Sequence, residues 1–273
     1  MNHTKINKEG NMNENAAKAF GELVAIVDRL MGENGCPWDR VQTRESLKPY
    51  LVEETYEALE ALDHNDPEKI KDELGDLLYQ ILFHAKISEL QKEFDIRDVV
   101  NTIADKMVRR HPHVFKEGEL QTPDQVVDQW EQIKKSEKAN QGRSSALDGV
   151  PLHLPGLKRA QKLQKKAAKQ GFDWDKIDEV FAKLDEEIAE FKEAVRDGDE
   201  EHVESELGDI LFVLANVARF KKLDAEEALR QTNNKFVKRF HYIEEQVAKQ
   251  GKELKDTPLE EMERYWQESK NKS

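Results

Sequence analysis

The chain has 273 residues, a formal net charge of −13 and 36% charged residues, which leaves room for about two domains and argues against a nucleic-acid backbone or an anionic membrane as partner. Cys36 is the one cysteine, so no intrachain disulfide can form and a reducing compartment is expected. No apolar run reaches the length of a membrane span, and the polar N-terminus has no signal-peptide hydrophobic region, so a cytoplasmic protein is expected.

Residues 1–14 are polar and predict a disordered tail, followed by a first helical domain over 15–138. Phe20, Leu23, Val24, Val27 and Leu30 recur at helical spacing over roughly 15–33, up to Gly32 and the loop ENGCPWD. Cys36 in that loop reads as a packing residue, and Trp38 as either a cap on the core or a surface facing a ligand base. A second helix is expected over 44–64, with Pro49 starting its regular part or bending it. A third, over 67–92, opens at Pro67 and carries Leu74, Leu77, Leu78, Ile81, Leu82 and Ala85 on one broad face, and His84 beside that face reads as a satisfied core histidine. A fourth spans 96–110 and ends in the basic run KMVRRHPHVF, where Lys106 and Arg110 share a face. A fifth, over 122–138, opens on Thr122-Pro123 and carries Trp130.

The Gly, Ser and Pro-rich stretch 139–156 reads as a linker. A second domain, 157–273, then repeats the order, with helices over 157–170, 175–197, 200–222, 224–249 and 257–270. With no strand signal in either copy, the expected fold is all-α, two tandem helical bundles.

The second and third helices carry Glu53-Glu54-x-x-Glu57 and Glu73-x-x-Asp76, and the pattern returns 133 positions later as Glu186-Glu187-x-x-Glu190 and Glu206-x-x-Asp209. Residues three apart on a helix share a face. The turn-rich segments between the helices make them antiparallel neighbours, so four carboxylates can converge in each copy. In a chain this charged an isolated Glu-x-x-Glu is usually a solvated surface. Here Glu54 and Glu187 fall within the apolar stripes Leu47, Leu51, Ala58, Leu62 and Val180, Leu184, Phe191, Ala194. A carboxylate facing packed side chains is costly unless paired or metal-bound. All-oxygen ligation suits Mg²⁺, with Mn²⁺ as the other candidate. Gly75 and Gly208, inside strong helix patterns, suggest close approach of a helix or a ligand.

Carboxylates that hold Mg²⁺, with Lys and Arg on a neighbouring helix and a Trp as a stacking surface, suit hydrolysis of a nucleotide polyphosphate. Di-iron chemistry is set aside because the residues at i+3 are never histidine. There is no P-loop sequence either. The segments GCPWDRVQT, YLVEETYEAL, ELGDLLYQILFHA, RRHPHVF, SALDGVPLHLPGLKRAQKLQKKAAKQGFDW and ELGDILFVLANVAR together resemble the MazG family, tandem-domain bacterial nucleoside triphosphate pyrophosphohydrolases, and the likeness runs from residue 15 or so to residue 270.

That resemblance implies cleavage between the α and β phosphates, Mg²⁺ dependence, broad base tolerance, a homodimer and the all-α pyrophosphatase fold. It assigns Glu187, Glu190, Glu206 and Asp209 as metal ligands and Glu186 as the group that orients or deprotonates water. Lys183, Lys235 and Arg239 would meet phosphates, with Trp266 and Lys270 completing the site. Glu54, Glu57, Glu73 and Asp76 form the corresponding metal set in the first copy, where Tyr50 stands in the place of Lys183. Catalysis is therefore expected mainly in the second copy. The competing expectation is a helical module that binds nucleotides or a partner without turnover. The broad apolar helix 200–222, with Leu207, Ile210, Leu211, Phe212, Val213, Leu214 and Val217, independently points to a homodimer.

Overall fold

A computed structural model describes residues 12–115, 122–136 and 145–271. Among these residues there are helices and turns and no strand. The chain divides into two compact units, Met1–Lys138 and Ala139–Ser273.

In the first unit, α1 (Met12–Met31) leads through a 3-10 turn at Asp39–Val41 into α2 (Arg44–His64), followed by α3 (Pro67–Leu90), α4 (Ile96–Arg110), the short α5 (Pro112–Phe115) and α6 (Pro123–Ser136). The polar tail expected over 1–14 falls outside the described residues up to position 11, and α1 already starts at Met12. Glu14 in its first turn suits the positive end of the helix dipole. Thr43 and Ser46 form a reciprocal capping box that starts α2 ahead of Pro49, so the proline lies inside the helix rather than at its start. Asn65 in the left-handed region and Asp66, which accepts from the backbone of Glu68 and Lys69, reverse the chain within two residues. The result is an antiparallel α2/α3 hairpin.

The core on this hairpin gathers Val27 and Met31 of α1, Leu47 of α2, and Leu82, Phe83 and Ile87 of α3. Truncating Leu47, which is 2% exposed, to alanine should cost about 2–5 kcal/mol. Lys86 fastens α1 to α3 through Asp28 at 2.7 Å. The stripe on α2 turns inward through Ala58 and Ala61, and Leu62 is exposed. Leu74 and Ile81 are likewise exposed within the unit. Trp38 is 51% exposed, edge-on to Tyr50 at 5.9 Å rather than in the core, because the loop projects it over the start of α2.

The second unit contains α7 (Gly156–Ala168), α8 (Ile177–Asp197), α9 (Glu200–Phe220), α10 (Ala225–Lys249), a 3-10 turn at Leu254–Asp256 and α11 (Leu259–Lys270). α8 and α9 form its hairpin, reversed at Gly198 in the left-handed region and capped by Asp199. α7 lies against α9, and α10 touches α7, α9 and α11. Lys166 donates to the carbonyls of Ala146 and Asp148, so the later part of the expected linker is tied to α7. Its first part, 139–144, falls outside the described residues. Arg219 bridges to Asp173 and also donates to the buried Asn216 at 2.7 Å. It stands where Lys86 stands in the first copy, and each cation secures the segment that precedes its hairpin.

Candidate metal and phosphate site

Each hairpin gathers acidic side chains between its two helices. In the second copy one carboxylate oxygen from each of Glu187, Glu190 and Glu206 lies within 4.8 Å of the others. Glu187 is 6% and Glu206 9% exposed. The first copy brings Glu54, Glu57 and Glu73 together at the same spacing. Asp76 and Asp209 sit one turn beyond and stay outside these trios, being exposed and a methylene shorter than glutamate. Asp76 is still the strongest of the charges acting on Glu54.

The electrostatics of the trios report crowding. Partial desolvation, then the charges of Glu187 and Glu206, push Glu190 above the ordinary carboxylate range. Desolvation, then Asp76, Glu57 and Glu73, does the same to Glu54, and desolvation followed by Glu57 raises Glu73. Three like charges this close call for a counter-charge. Glu206 Oε2 is buried and has no hydrogen-bond partner, an orphaned acceptor of the kind a bound cation satisfies. The donors are all carboxylate oxygens, so the set fits a hard divalent cation such as Mg²⁺ or Mn²⁺.

Lys183 Nζ donates to Glu186 and Glu187, at 2.7 Å each. Hydrogen bonds to Glu186 and then Glu187 raise its pKa, so it stays cationic. In the first copy Tyr50 occupies this position and packs on Trp38. One participant was missed in the sequence: His202 Nε2 lies 3.0 Å from Glu206 Oε1. Its signal was the i,i+4 spacing to a carboxylate on the same helix, and Lys69 holds the equivalent position before Glu73.

The expected phosphate-binding group forms a separate cluster. Arg239 of α10 lies over the ring of Trp266 on α11 at 5.4 Å, and Phe236 meets the same ring at 5.5 Å. Arg239 Nε is buried without a partner, whereas Lys235 and Lys270 are exposed. Among the described residues none of Lys235, Arg239 and Lys270 pairs with the carboxylate trio. The first copy repeats the arrangement with Arg110 over Trp130 at 5.3 Å.

Gly75 and Gly208 do not mark tight packing: a Cβ at either would meet nothing within 4 Å. His84 is not a satisfied core residue either, since its Nε2 is buried without a hydrogen-bond partner.

Fold and site define an all-α protein of two tandem repeats, each built on a hairpin that gathers three carboxylates. The MazG nucleotide pyrophosphohydrolase domain matches residues 42–115 and again 176–243, the two segments that contain those hairpins. A protein of Thermotoga maritima named nucleoside triphosphate pyrophosphohydrolase/pyrophosphatase MazG is 43% identical over 251 residues, covering 92% of this chain and 95% of the relative. The Escherichia coli K12 nucleoside triphosphate pyrophosphohydrolase is 44% identical over 253 residues, covering 91% and 95%. The uncharacterized protein YabN of Bacillus subtilis is 51% identical over 252 residues, which is 92% of this chain and 51% of that protein. The chain belongs to the MazG nucleotide pyrophosphohydrolase family. No helix among the described residues is long and apolar enough to cross a membrane.

Proposed function

We propose that this chain hydrolyses nucleoside triphosphates between the α and β phosphates, releasing a nucleoside monophosphate and pyrophosphate, with broad tolerance of the base and with turnover mainly in the second copy. The observation that carries this reading is the convergence of Glu187, Glu190 and Glu206 beside Lys183. These three carboxylates, with Asp209 one turn on, would hold Mg²⁺ or Mn²⁺. When bound, the ion supplies a Lewis acid for phosphate oxygens.

The chain's own residues do the rest. Lys183 is a cation beside the trio and offsets the charge that builds on the phosphates. Glu186, bridged to Lys183, orients the attacking water and takes its proton. The water oxygen bonds to the α phosphorus, the bond from that phosphorus to the bridging oxygen breaks, and pyrophosphate leaves with the electron pair. Arg239, Lys235 and Lys270 meet the triphosphate from α10 and α11, and Trp266 offers a face for stacking.

Incubating the purified chain with a nucleoside triphosphate and Mg²⁺ should yield nucleoside monophosphate and pyrophosphate. Diphosphate plus orthophosphate, or full activity in excess EDTA, would overturn the reading. A second reading applies to the first copy alone. Tyr50 at the position of Lys183 favours a hairpin that binds metal or nucleotide without turnover. We also propose a cytoplasmic homodimer, because Leu207, Leu211, Phe212 and Leu214 on α9 are each more than 40% exposed. Light scattering that returns a 31.7 kDa monomer at micromolar concentration would refute the dimer.

A further inference from the structure

A hollow of about 470 Å³ opens in the first unit between α2, α3 and the start of α4, within the range of small-molecule sites. It is distinct from the carboxylate trio. Leu51 precedes Glu54 by three residues and Ile81 follows Asp76 by five, while Lys48 and His84 lie six and eight away, so the hollow begins about one turn from the trio and reaches about 9–12 Å along the helices. Leu51, Ile81, Ala85 and Val99 form its apolar walls, with Phe94 at one end. Arg44, Lys48 and His84 also line it, mostly through carbon, with the Arg44 and Lys48 nitrogens turned at the rim to Glu93 and Glu45.

The second copy shows that the scaffold does not require those groups. The hairpin helices correspond at a constant spacing of 133 positions, and Arg44, Lys48, Gln80 and His84 fall opposite Ile177, Phe181, Val213 and Val217. Two cations and an imidazole therefore stand where the sister hairpin is apolar. Burying a ring nitrogen without a partner is costly, and His84 Nε2 is such an atom. Desolvation, and then the charge of Arg44, lower the pKa of His84, so its ring is neutral near pH 7.

Arg44 is held in place. Its guanidinium donates to the buried Ser88 Oγ at 2.7 Å and lies 5.9 Å from the Phe94 ring. It also pairs with Glu93, whose side chain is half exposed. A carboxylate therefore already occupies the anion position at the mouth, on a side chain that can swing away into water. Lys48 Nζ rests on the exposed Glu45 at 2.6 Å and is equally free to exchange partners.

We propose that this hollow binds a nucleoside monophosphate, with the phosphate on Arg44 and Lys48, the base against Phe94 and the apolar walls, and a polar ring atom on His84 Nε2. Two cations match the charge of a single phosphate. A triphosphate would bring further negative charge to a hollow whose lining holds no cation beyond Arg44 and Lys48. The proposal rests on the reading above for the origin of the ligand, which is the product of that reaction, but not for the site itself. The first copy would then sense what the second releases.

The test is calorimetric titration of the full chain in EDTA, where the carboxylate trios hold no metal and nothing is turned over. A nucleoside monophosphate should bind one per chain, at least tenfold tighter than inorganic phosphate or the free nucleoside. The double variant Lys48→Phe/His84→Val, which installs the sister hairpin's own residues, should weaken binding at least tenfold with an unchanged circular dichroism spectrum and unchanged triphosphate turnover. Arg44→Met, tested separately, should lose the preference for the phosphorylated ligand. No monophosphate binding in EDTA, or binding untouched by both variants, would overturn the proposal. So would inorganic phosphate binding as tightly as the monophosphate. Glu187→Gln should leave the titration unchanged, so failure of the hydrolase reading and failure of this one are seen in different experiments.

Discussion

The two hairpins begin alike and end differently. α2 and α8 are both 21 residues long, each gathers three glutamates with its partner helix, and each has a fourth acidic residue one turn on. The second adds Lys183, locked onto Glu186 and Glu187, and buries two of its three glutamates. The first puts Tyr50 on Trp38 instead and leaves Glu57 exposed and Glu54 and Glu73 half-buried. Duplication preserved the charge cluster, while the surrounding cation and burial diverged. On the proposed function, the carboxylates of either copy would hold a cation, and the lysine beside the second set would decide what can be done to a phosphate there.

The largest expected effect breaks or keeps that distinction directly. Glu187→Gln should lower pyrophosphate release by about 10²–10³-fold, the scale of losing one preorganised electrostatic group, whereas Glu54→Gln should leave most of it. Equal losses in two folded variants would make both copies catalytic. A smaller change sharpens the comparison: Lys183→Tyr gives the second copy the first copy's residue and should slow turnover by about 10²-fold, or ~2.7 kcal/mol of barrier. Unchanged kcat would remove Lys183 from the chemistry.

The next test concerns pH. In the folded chain the carboxyls of Glu54, Glu73 and Glu190 are held above their ordinary value of 4.5 by desolvation and by their acidic neighbours. The folded chain therefore binds more protons than the unfolded one in the window just above 4.5, and stability falls as pH rises through it. His84, lowered from 6.5, works the other way, with stability rising as pH climbs towards 6.5. Urea denaturation of a His84→Val background in EDTA should therefore show lower stability at pH 7 than at pH 5. Added Mg²⁺ should remove most of the difference, and a flat profile in EDTA would contradict the crowding of the trios. The smallest effect belongs to the helix glycines. Gly75→Ala and Gly208→Ala should each stabilise the fold by about 0.5–1 kcal/mol in urea, because a Cβ meets no atom at either place. If substrate lies beside Gly208, its variant alone should also raise KM.

Most of the architecture was legible because it is local. Proline, asparagine, aspartate and glycine punctuate the helices, and a pattern repeated 133 positions later announces a duplication without any need for coordinates. The glutamates stood out for the same reason, as polar residues inside apolar stripes. Other features depended on what lies across the gap between helices. Leu62, Leu74 and Ile81 follow the apolar period yet remain exposed, since a period gives the width of a face but not how much of it a neighbour covers. Of the two readings of Trp38, the core cap is not what forms, and the ring is half exposed against Tyr50. His84 looked satisfied and is not, and His202 was overlooked although it touches Glu206. The repeat, its helices and its acidic residues were determined by the sequence alone, because spacing along one helix sets which side chains share a face. Which carboxylates become buried, which cation reaches them and where a hollow remains were decided by the tertiary structure, because burial and charge pairing depend on distances between helices that no single helix encodes.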